Sequence, residues 1–312
     1  MENPPIEFSD IDSLLVIVPV FLCYILLFIV AQIKKDNSII DTAWGLIFIL
    51  PNFLVLLLKD HWLEKTLLTF FLVSFWGLRL SIYIFLRRTG KEDFRYAELR
   101  ERWEAKGKCY YYFATFIFVF MMQAFFSLVV GSSALYISLW SGDQFSILDA
   151  IGAFVWLFGF VFELVADRQM KQFREDPSNR GKLIKVGLWR YSRHPNYFGE
   201  AVLWWGIYLI ACSVEYGWIT FFSAGFITFL LRFVSGVPLL EEKYKNRPDF
   251  QIYMKETNIF VPWFVRKVSE EERQTIFKGS QQFDVVREDE YCNQNQNTTN
   301  LELIKIKPKL SA

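Results

Sequence analysis

The sequence predicts an all-α fold, a polytopic bundle of about seven membrane helices, and three observations carry that expectation. Apolar runs of ~20 residues recur along the chain, the length an α-helix needs to cross a bilayer. The composition is 53% hydrophobic and 19% aromatic, with a mean hydropathy of +0.22, more than a soluble domain of 312 residues keeps in solution. The connecting segments alternate between strongly basic and nearly uncharged, as in a chain threaded back and forth through a membrane.

The expected spans are Ile11 to Gln32, Ile39 to Leu58, Trp62 to Leu86, Tyr111 to Trp140, Phe145 to Ala166, Tyr197 to Ser213 and Trp218 to Pro238. The third and fourth are long enough to tilt or to extend beyond the lipid. The first follows an acidic segment without Lys or Arg, so it lacks the basic start of a cleaved signal peptide and stays as a helix. Lys34 and Lys35 follow the first span. Arg87, Arg88, Lys91, Arg95, Arg100, Arg102, Lys106 and Lys108 follow the third. A third basic cluster, Arg168 to Arg193, follows the fifth, whereas the intervening loops hold only Lys59 and Lys65. The bias puts the N-terminus outside and every basic loop, with the C-terminus, in the cytosol. Each single charge has a plainer reading, as a topology determinant or a contact with anionic lipid.

Residues 1–264 are expected to form one membrane-embedded domain, and 265–312, with SEEER, QQFD and NQNQNTTN, a polar cytosolic tail without fixed structure. Asn297-Thr298-Thr299 matches a glycosylation acceptor that a cytosolic tail never presents to the enzyme. The net charge of +1 gives no sign of a nucleic-acid partner, and no obligate protein partner is signalled. Cys23, Cys109, Cys212 and Cys292 are far apart, and His61 and His194 stand alone, so no disulfide framework or metal site is expected. GxGxxG and GxxxxGKS loops are absent, so any nucleotide is held some other way.

The densest chemistry lies in KVGLWRYSRHPNYFGE, from Lys185 to Glu200. Pro195 suits the first position of a helix, where its missing N–H costs nothing. The free N–H groups of Asn196 and Tyr197 would then stand at the positive helix end beside Arg190 and Arg193, an arrangement that binds a phosphate or carboxylate. Tyr191, His194 and Glu200 complete the cluster. Asn196, Glu200 and Leu203 share a helix face, and Gly199 beside them would let a flat ligand approach the backbone.

Other polar residues sit inside or beside apolar runs, where they usually mark a site. Glu163, Asp167, Lys171 and Arg174 fall at spacings of four, four and three along one helix face, readable as solvated intrahelical pairs or as a ligand-facing stripe. Asp41 lies in the second span, while Trp76, Arg79 and Tyr83 share one face of the third. Asp41 is the candidate partner for Arg79, either as a structural pair or as part of a substrate path. Arg232 ends the last span, Glu241, Glu242, Tyr244 and Tyr253 follow, and Phe260 to Phe264 suit an interfacial anchor.

In order and spacing, Asp41 to Gly45 (D..WG), Arg79 to Tyr96 (RL...R..G.EDxRY), Tyr191 to Glu200 (Y.RHPNYxGE) and Ser235 to Glu241 (SG.P..E) resemble the steroid 5-alpha-reductase family, within it the DUF1295 branch. The resemblance implies a seven-helix membrane reductase, expected in the endoplasmic reticulum of a eukaryote. NADPH would occupy a cytosol-facing cavity and a lipid substrate would enter from the bilayer. It carries cofactor roles to Asp167, Arg174, Tyr191, Asn196 and Glu200, and to Arg95 and Arg232; the motif cluster adds Arg190, His194 and Tyr197. The implied reaction reduces a C=C bond conjugated to a carbonyl. Asp41 is assigned as the acid facing that carbonyl, with Arg79 and Tyr83 as helpers. Trp76 stands where the family's catalytic Tyr is expected, and indole has only an N–H donor. R-H-P-x-Y also resembles the isoprenylcysteine carboxyl methyltransferases, so an S-adenosylmethionine-dependent methyltransferase is the second reading and a non-catalytic lipid-binding protein the third.

Overall fold

The computed structural model describes residues 10–58, 64–88, 90–142 and 144–278. Lys59, His61, Cys292, the Asn297-Thr298-Thr299 triplet and the rest of the expected tail lie outside the described residues. Among those described, the chain is helical: α1 (Asp10–Lys34), α2 (Ile39–Leu58), α3 (Glu64–Arg87), α4 (Phe94–Glu104) and α5 (Lys108–Thr115) come first. A π-helical turn, Phe116–Met121, leads from α5 into α6 (Met122–Trp140). There follow α7 (Ile147–Glu175), α8 (Pro195–Ala211), α9 (Phe221–Phe229) with a second π turn at Leu230–Val234, α10 (Val237–Glu241) and α11 (Pro248–Glu256).

Among the described residues, six stretches are long and apolar enough to cross a membrane: Leu14–Lys34, Ile39–Leu58, Glu64–Arg87, Lys108–Trp140, Ile147–Glu175 and Gly217–Tyr244. The chain is therefore built as an integral membrane protein. The expected span at Tyr197 to Ser213 does not reach that length. Its helix, α8, has 17 residues, about 25 Å at the α-helical rise, against a hydrocarbon core of about 30 Å.

The helices fall into two units. One comprises 1–167 with 196–239, the other 168–195 with 240–312. In the first, glycines let helix backbones touch. A Cβ placed on Gly45 of α2 would lie 2.3 Å from the Gly77 oxygen of α3, and the reverse contact is equally short. α7 and α8 run antiparallel through two such contacts, Gly152 with Gly206 and Gly159 with Gly199. The open backbone at Gly199, expected to receive a ligand, is thus filled by α7. Without water in the bilayer, small residues and buried polar pairs hold such helices together. Ser138 Oγ donates to Asn52 Oδ1 at 2.8 Å between α6 and α2. Lys65, a loop charge in the sequence, is instead buried at the start of α3 and pairs with Asp149 at 3.2 Å, which also accepts from Ser213 Oγ at 2.5 Å.

In the second unit, part of the expected tail is ordered. Residues 270–278 are helical, opened by a reciprocal cap in which Glu272 N donates to Ser269 Oγ and Ser269 N to Glu272 Oε2. Arg273 pairs with Glu256, and Arg266 N donates to the Glu256 carbonyl at 2.9 Å. The charges that suggested a solvated tail are the ones that tie this segment down.

Replacing Gly199 or Gly45 with Leu should lower thermal stability in detergent by about 1–3 kcal/mol or more, because the added carbons meet backbone that cannot yield. Gly225→Leu, where nothing lies within 4 Å, should leave the transition near wild type.

Candidate functional site

In the first unit a cavity of about 640 Å³ is bounded by α2, α3, α4, α6, α7, α8 and α9. Its lining includes Asp41, Tyr83, Arg95, Tyr96, Glu163, Asp167, Asn196, Tyr197 and Glu200. Nearly all of the candidate residues that belong to this unit thus converge, although they are up to 159 positions apart in the chain.

The first polar group forms around Asp41, near the start of α2. Its Oδ2 accepts from Arg95 Nη2 at 2.7 Å and its Oδ1 from the Tyr96 hydroxyl at 2.6 Å. The expected Asp41–Arg79 pair does not form. Arg95 and Tyr96 reach Asp41 because the α3–α4 connection is tied down. Arg88 pairs with Asp36, and Glu92 accepts from the Asn37 backbone N–H at 2.7 Å while holding Arg100 through two hydrogen bonds of 2.8 and 2.9 Å. Asp93 then caps α4, accepting from Arg95 N at 3.0 Å and from its Nε at 2.9 Å. Burial works against charge on Arg95, but Asp41 and Asp93 outweigh it, so its guanidinium holds its proton more tightly than usual. Burial and then the Asp41 charge push the Tyr96 phenol well above its ordinary range. Burial also opposes ionisation of Asp93, yet the Arg95 hydrogen bonds prevail and hold its carboxyl below the usual carboxylate range.

The second group forms around Arg79. Its Nη1 donates to Asp167 Oδ2 at 2.8 Å and its Nη2 pairs with Glu163. Asn196 Nδ2, from the first turn of α8, donates to the other oxygen of Asp167 at 3.3 Å. Buried Glu200 lies within the field of the same guanidinium. Two acceptors lack hydrogen-bond partners: Glu163 Oε2 and Asn196 Oδ1. Of the two readings of the α7 stripe, solvated intrahelical pairs do not describe Glu163 and Asp167, which pair with Arg79 of α3, while Lys171 pairs within the helix with Glu175 at 3.8 Å. The pairing to α3 follows from burial: Glu163 is 2% exposed and needs a counter-charge that solvent cannot supply.

Trp76 is fully buried against Phe48 and Trp204, with ring centroids 5.3 and 5.1 Å away, and does not line the cavity. Tyr83 does line it, with Arg87 over its ring at 5.4 Å. Arg232, in the second π turn, stacks over Phe233 at 4.7 Å and is not part of the lining.

Arg174, Arg190, Tyr191 and His194 belong to the other unit. There Arg193 and His194 serve as internal ties. Arg193 grips Glu241 at 2.8 and 3.2 Å and the carbonyls of Met254 and Thr257, and His194 Nε2 lies 2.9 Å from Glu241 Oε1. His194, expected to face a cofactor, is thereby engaged by a carboxylate. Tyr191 accepts from Trp263 N at 3.0 Å through its carbonyl, and Arg174 and Arg190 are exposed. Pro195 opens α8 as expected.

A family model described as a protein of unknown function (DUF1295) matches residues 27–257, more than half of the chain. This chain belongs to the DUF1295 family. It is a steroid 5-alpha-reductase-like family, as two mammalian relatives indicate. The 3-oxo-5-alpha-steroid 4-dehydrogenase 1 of Bos taurus is 27% identical over 206 residues, covering 66% of this chain and 70% of that protein. Its Homo sapiens counterpart is 29% identical over 113 residues, 36% of this chain and 40% of that protein. An uncharacterized protein of Schizosaccharomyces pombe is 26% identical over 266 residues, 73% of each. No solved structure matches the chain.

Tyr96 and Gln123 were not singled out in the sequence, although both line the cavity and Tyr96 closes the RL...R..G.EDxRY motif. The motif was the available signal, but only the fold shows that its last residue meets Asp41.

Arg79→Met should destabilise the protein by about 3–5 kcal/mol, since it strands two buried carboxylates. Adding Glu163→Gln should recover part of that loss, read as thermal unfolding in detergent.

Proposed function

We propose that this protein is a membrane reductase that uses NADPH to reduce a C=C bond conjugated to a carbonyl in a lipid, steroid-like or a fatty enone. The observation that carries the reading is one cavity lined by both the Asp41–Tyr96–Arg95 group and the Asp167–Asn196–Glu200 group. The residues present suit a nicotinamide cofactor. Glu163 Oε2 and Asn196 Oδ1 are unpartnered acceptors fit for the NH2 of a carboxamide, and exposed Arg87 and Lys91 on the same lining suit phosphates. Asp167, Asn196, Tyr197 and Glu200 would hold and orient it. When bound, NADPH supplies a hydride to the β carbon of the enone.

The remaining chemistry falls to the chain. Arg95 and the Tyr96 hydroxyl both donate to Asp41, so the proton donor of the Asp41–Tyr96 pair is the Tyr96 hydroxyl, which Asp41 orients. Tyr96 would meet the carbonyl oxygen as negative charge develops there, in place of the buried Trp76. This moves the acid role expected of Asp41 to its neighbour. We also propose that residues 1–264 form the reductase-like domain and that α8 is a seventh span, thinning the bilayer around it. The N-terminus would then lie outside and the C-terminus in the cytosol, in a eukaryote at the endoplasmic reticulum.

Heating the detergent-solubilised protein with NADPH should raise its melting temperature with cofactor concentration. Stabilisation by S-adenosylmethionine instead would establish the methyltransferase reading. Asn196→Ala and Glu200→Ala should weaken NADPH binding by about 1–3 kcal/mol. Asp41→Asn and Tyr96→Phe should keep NADPH binding and lower enone turnover by about two to four orders of magnitude. Full turnover per folded molecule in both variants would end the assignment. In sealed vesicles, an impermeant amine reagent should reach Lys91 and Lys182 from the cytosolic side only.

A further inference from the structure

One wall of the cavity is built by the span Lys108–Trp140, which contributes Phe118, Val119, Met122, Gln123 and Phe126. All but Gln123 are apolar. Gln123 is the second residue of α6 and follows directly on the first π turn, a distortion that occurs frequently at functional sites. An amide inside a span either ties helices together or marks a site. Gln123 Nε2 donates to the Tyr96 hydroxyl at 3.4 Å, longer than the about 2.7–3.2 Å of an ordinary N–H···O bond. That contact is a poor tie between α6 and α4.

The hydrogens around Tyr96 leave a substrate carbonyl short of a donor. A phenol has a single proton to give, and Tyr96 gives it to Asp41 Oδ1 at 2.6 Å. Its oxygen is then an acceptor, which requires the amide to present nitrogen rather than oxygen on that side. A primary amide carries two N–H groups. One is turned to Tyr96, and the other forms no hydrogen bond among the described residues. Of the two side chains that touch the Tyr96 hydroxyl, Asp41 accepts and Gln123 has a donor to spare. Two donors converging on one oxygen is the arrangement that stabilises developing negative charge in a low-dielectric site.

We propose that Gln123 is a second hydrogen-bond donor to the substrate carbonyl, one N–H holding the Tyr96 oxygen and the other meeting the carbonyl oxygen beside Tyr96. No bond of Gln123 breaks. It keeps both protons, and its part is to stabilise the charge that the oxygen gains as hydride reaches the β carbon. The reaction in this inference rests on the reductase reading; the donor role toward a bound carbonyl does not.

Turnover of nonenone by the full chain in detergent with NADPH tests the role, and infrared difference spectra with isotopically labelled nonanone, the saturated product, read the bound carbonyl directly. Gln123→Leu should lower kcat about 10²–10³-fold, leave NADPH-dependent thermal stabilisation unchanged and move the bound carbonyl stretch to higher frequency. The shift in stretch should persist in a Tyr96→Phe background. Gln123→Glu, close in size, should be slow at neutral pH, where an ionised carboxylate only accepts, and should gain turnover as pH falls and its O–H donor forms, a trend that wild type lacks. Unchanged turnover and stretch in Gln123→Leu, a shift that vanishes once Tyr96 is Phe, or a Gln123→Glu pH profile parallel to wild type overturns the proposal. If the Leu variant does not fold, the Glu profile decides. A wild type that reduces no enone, but whose bound-ketone stretch shifts in Gln123→Leu, keeps the donor and ends the reductase reading. A wild type that binds no ketone overturns both.

Discussion

Arg79 is the charge around which the membrane-embedded unit is arranged. A guanidinium within an apolar span is costly unless it is paired, and α3 supplies no carboxylate to pair it. Glu163 and Asp167 of α7 meet it, and Asn196 of α8 completes the coordination of Asp167. Three helices are thereby held in register at the level of the cavity. Pairing of this kind is weak evidence for stability, since the desolvation cost offsets most of the Coulomb gain. What it specifies is position: an α7 rotated by one residue would leave three charges unmatched in hydrocarbon.

The glycine contacts make that arrangement reachable. Gly159 and Gly199 let α7 and α8 approach backbone to backbone, so short side chains such as Asn196 can span the gap to Asp167. The Asp41 group depends on a different device, a short amphipathic helix held by polar ties outside the spans. Arg88 with Asp36 and Glu92 with the Asn37 N–H and Arg100 fix the connection. Asp93 then starts α4 so that Arg95 and Tyr96 both face Asp41.

The motif Arg193-His194-Pro195-Asn196 divides its labour at the proline. Before it, Arg193 and His194 brace the other unit through Glu241 and the carbonyls of Met254 and Thr257. After it, Asn196, Tyr197 and Glu200 face the cavity. A compact polar motif therefore need not be a compact site, because a helix start is also a convenient place to anchor a neighbouring segment.

By itself the sequence determined the membrane class, the positions of six long apolar helices and the helix start at Pro195, all of which follow from local hydrophobicity and backbone restriction. It also marked Asp41, Asp167, Asn196 and Glu200, because polar groups near lipid are rare enough to stand out. Only the tertiary structure decided which charge meets which. Asp41 and Arg79 looked like partners because they lie on successive spans, yet Arg95 and Tyr96 take Asp41 while α7 takes Arg79. Helical periodicity assigns a residue to a face but says nothing of the neighbour that face will meet. That choice depends on the close approach that glycine permits and on the need to neutralise each buried charge, and both are properties of the assembled helices.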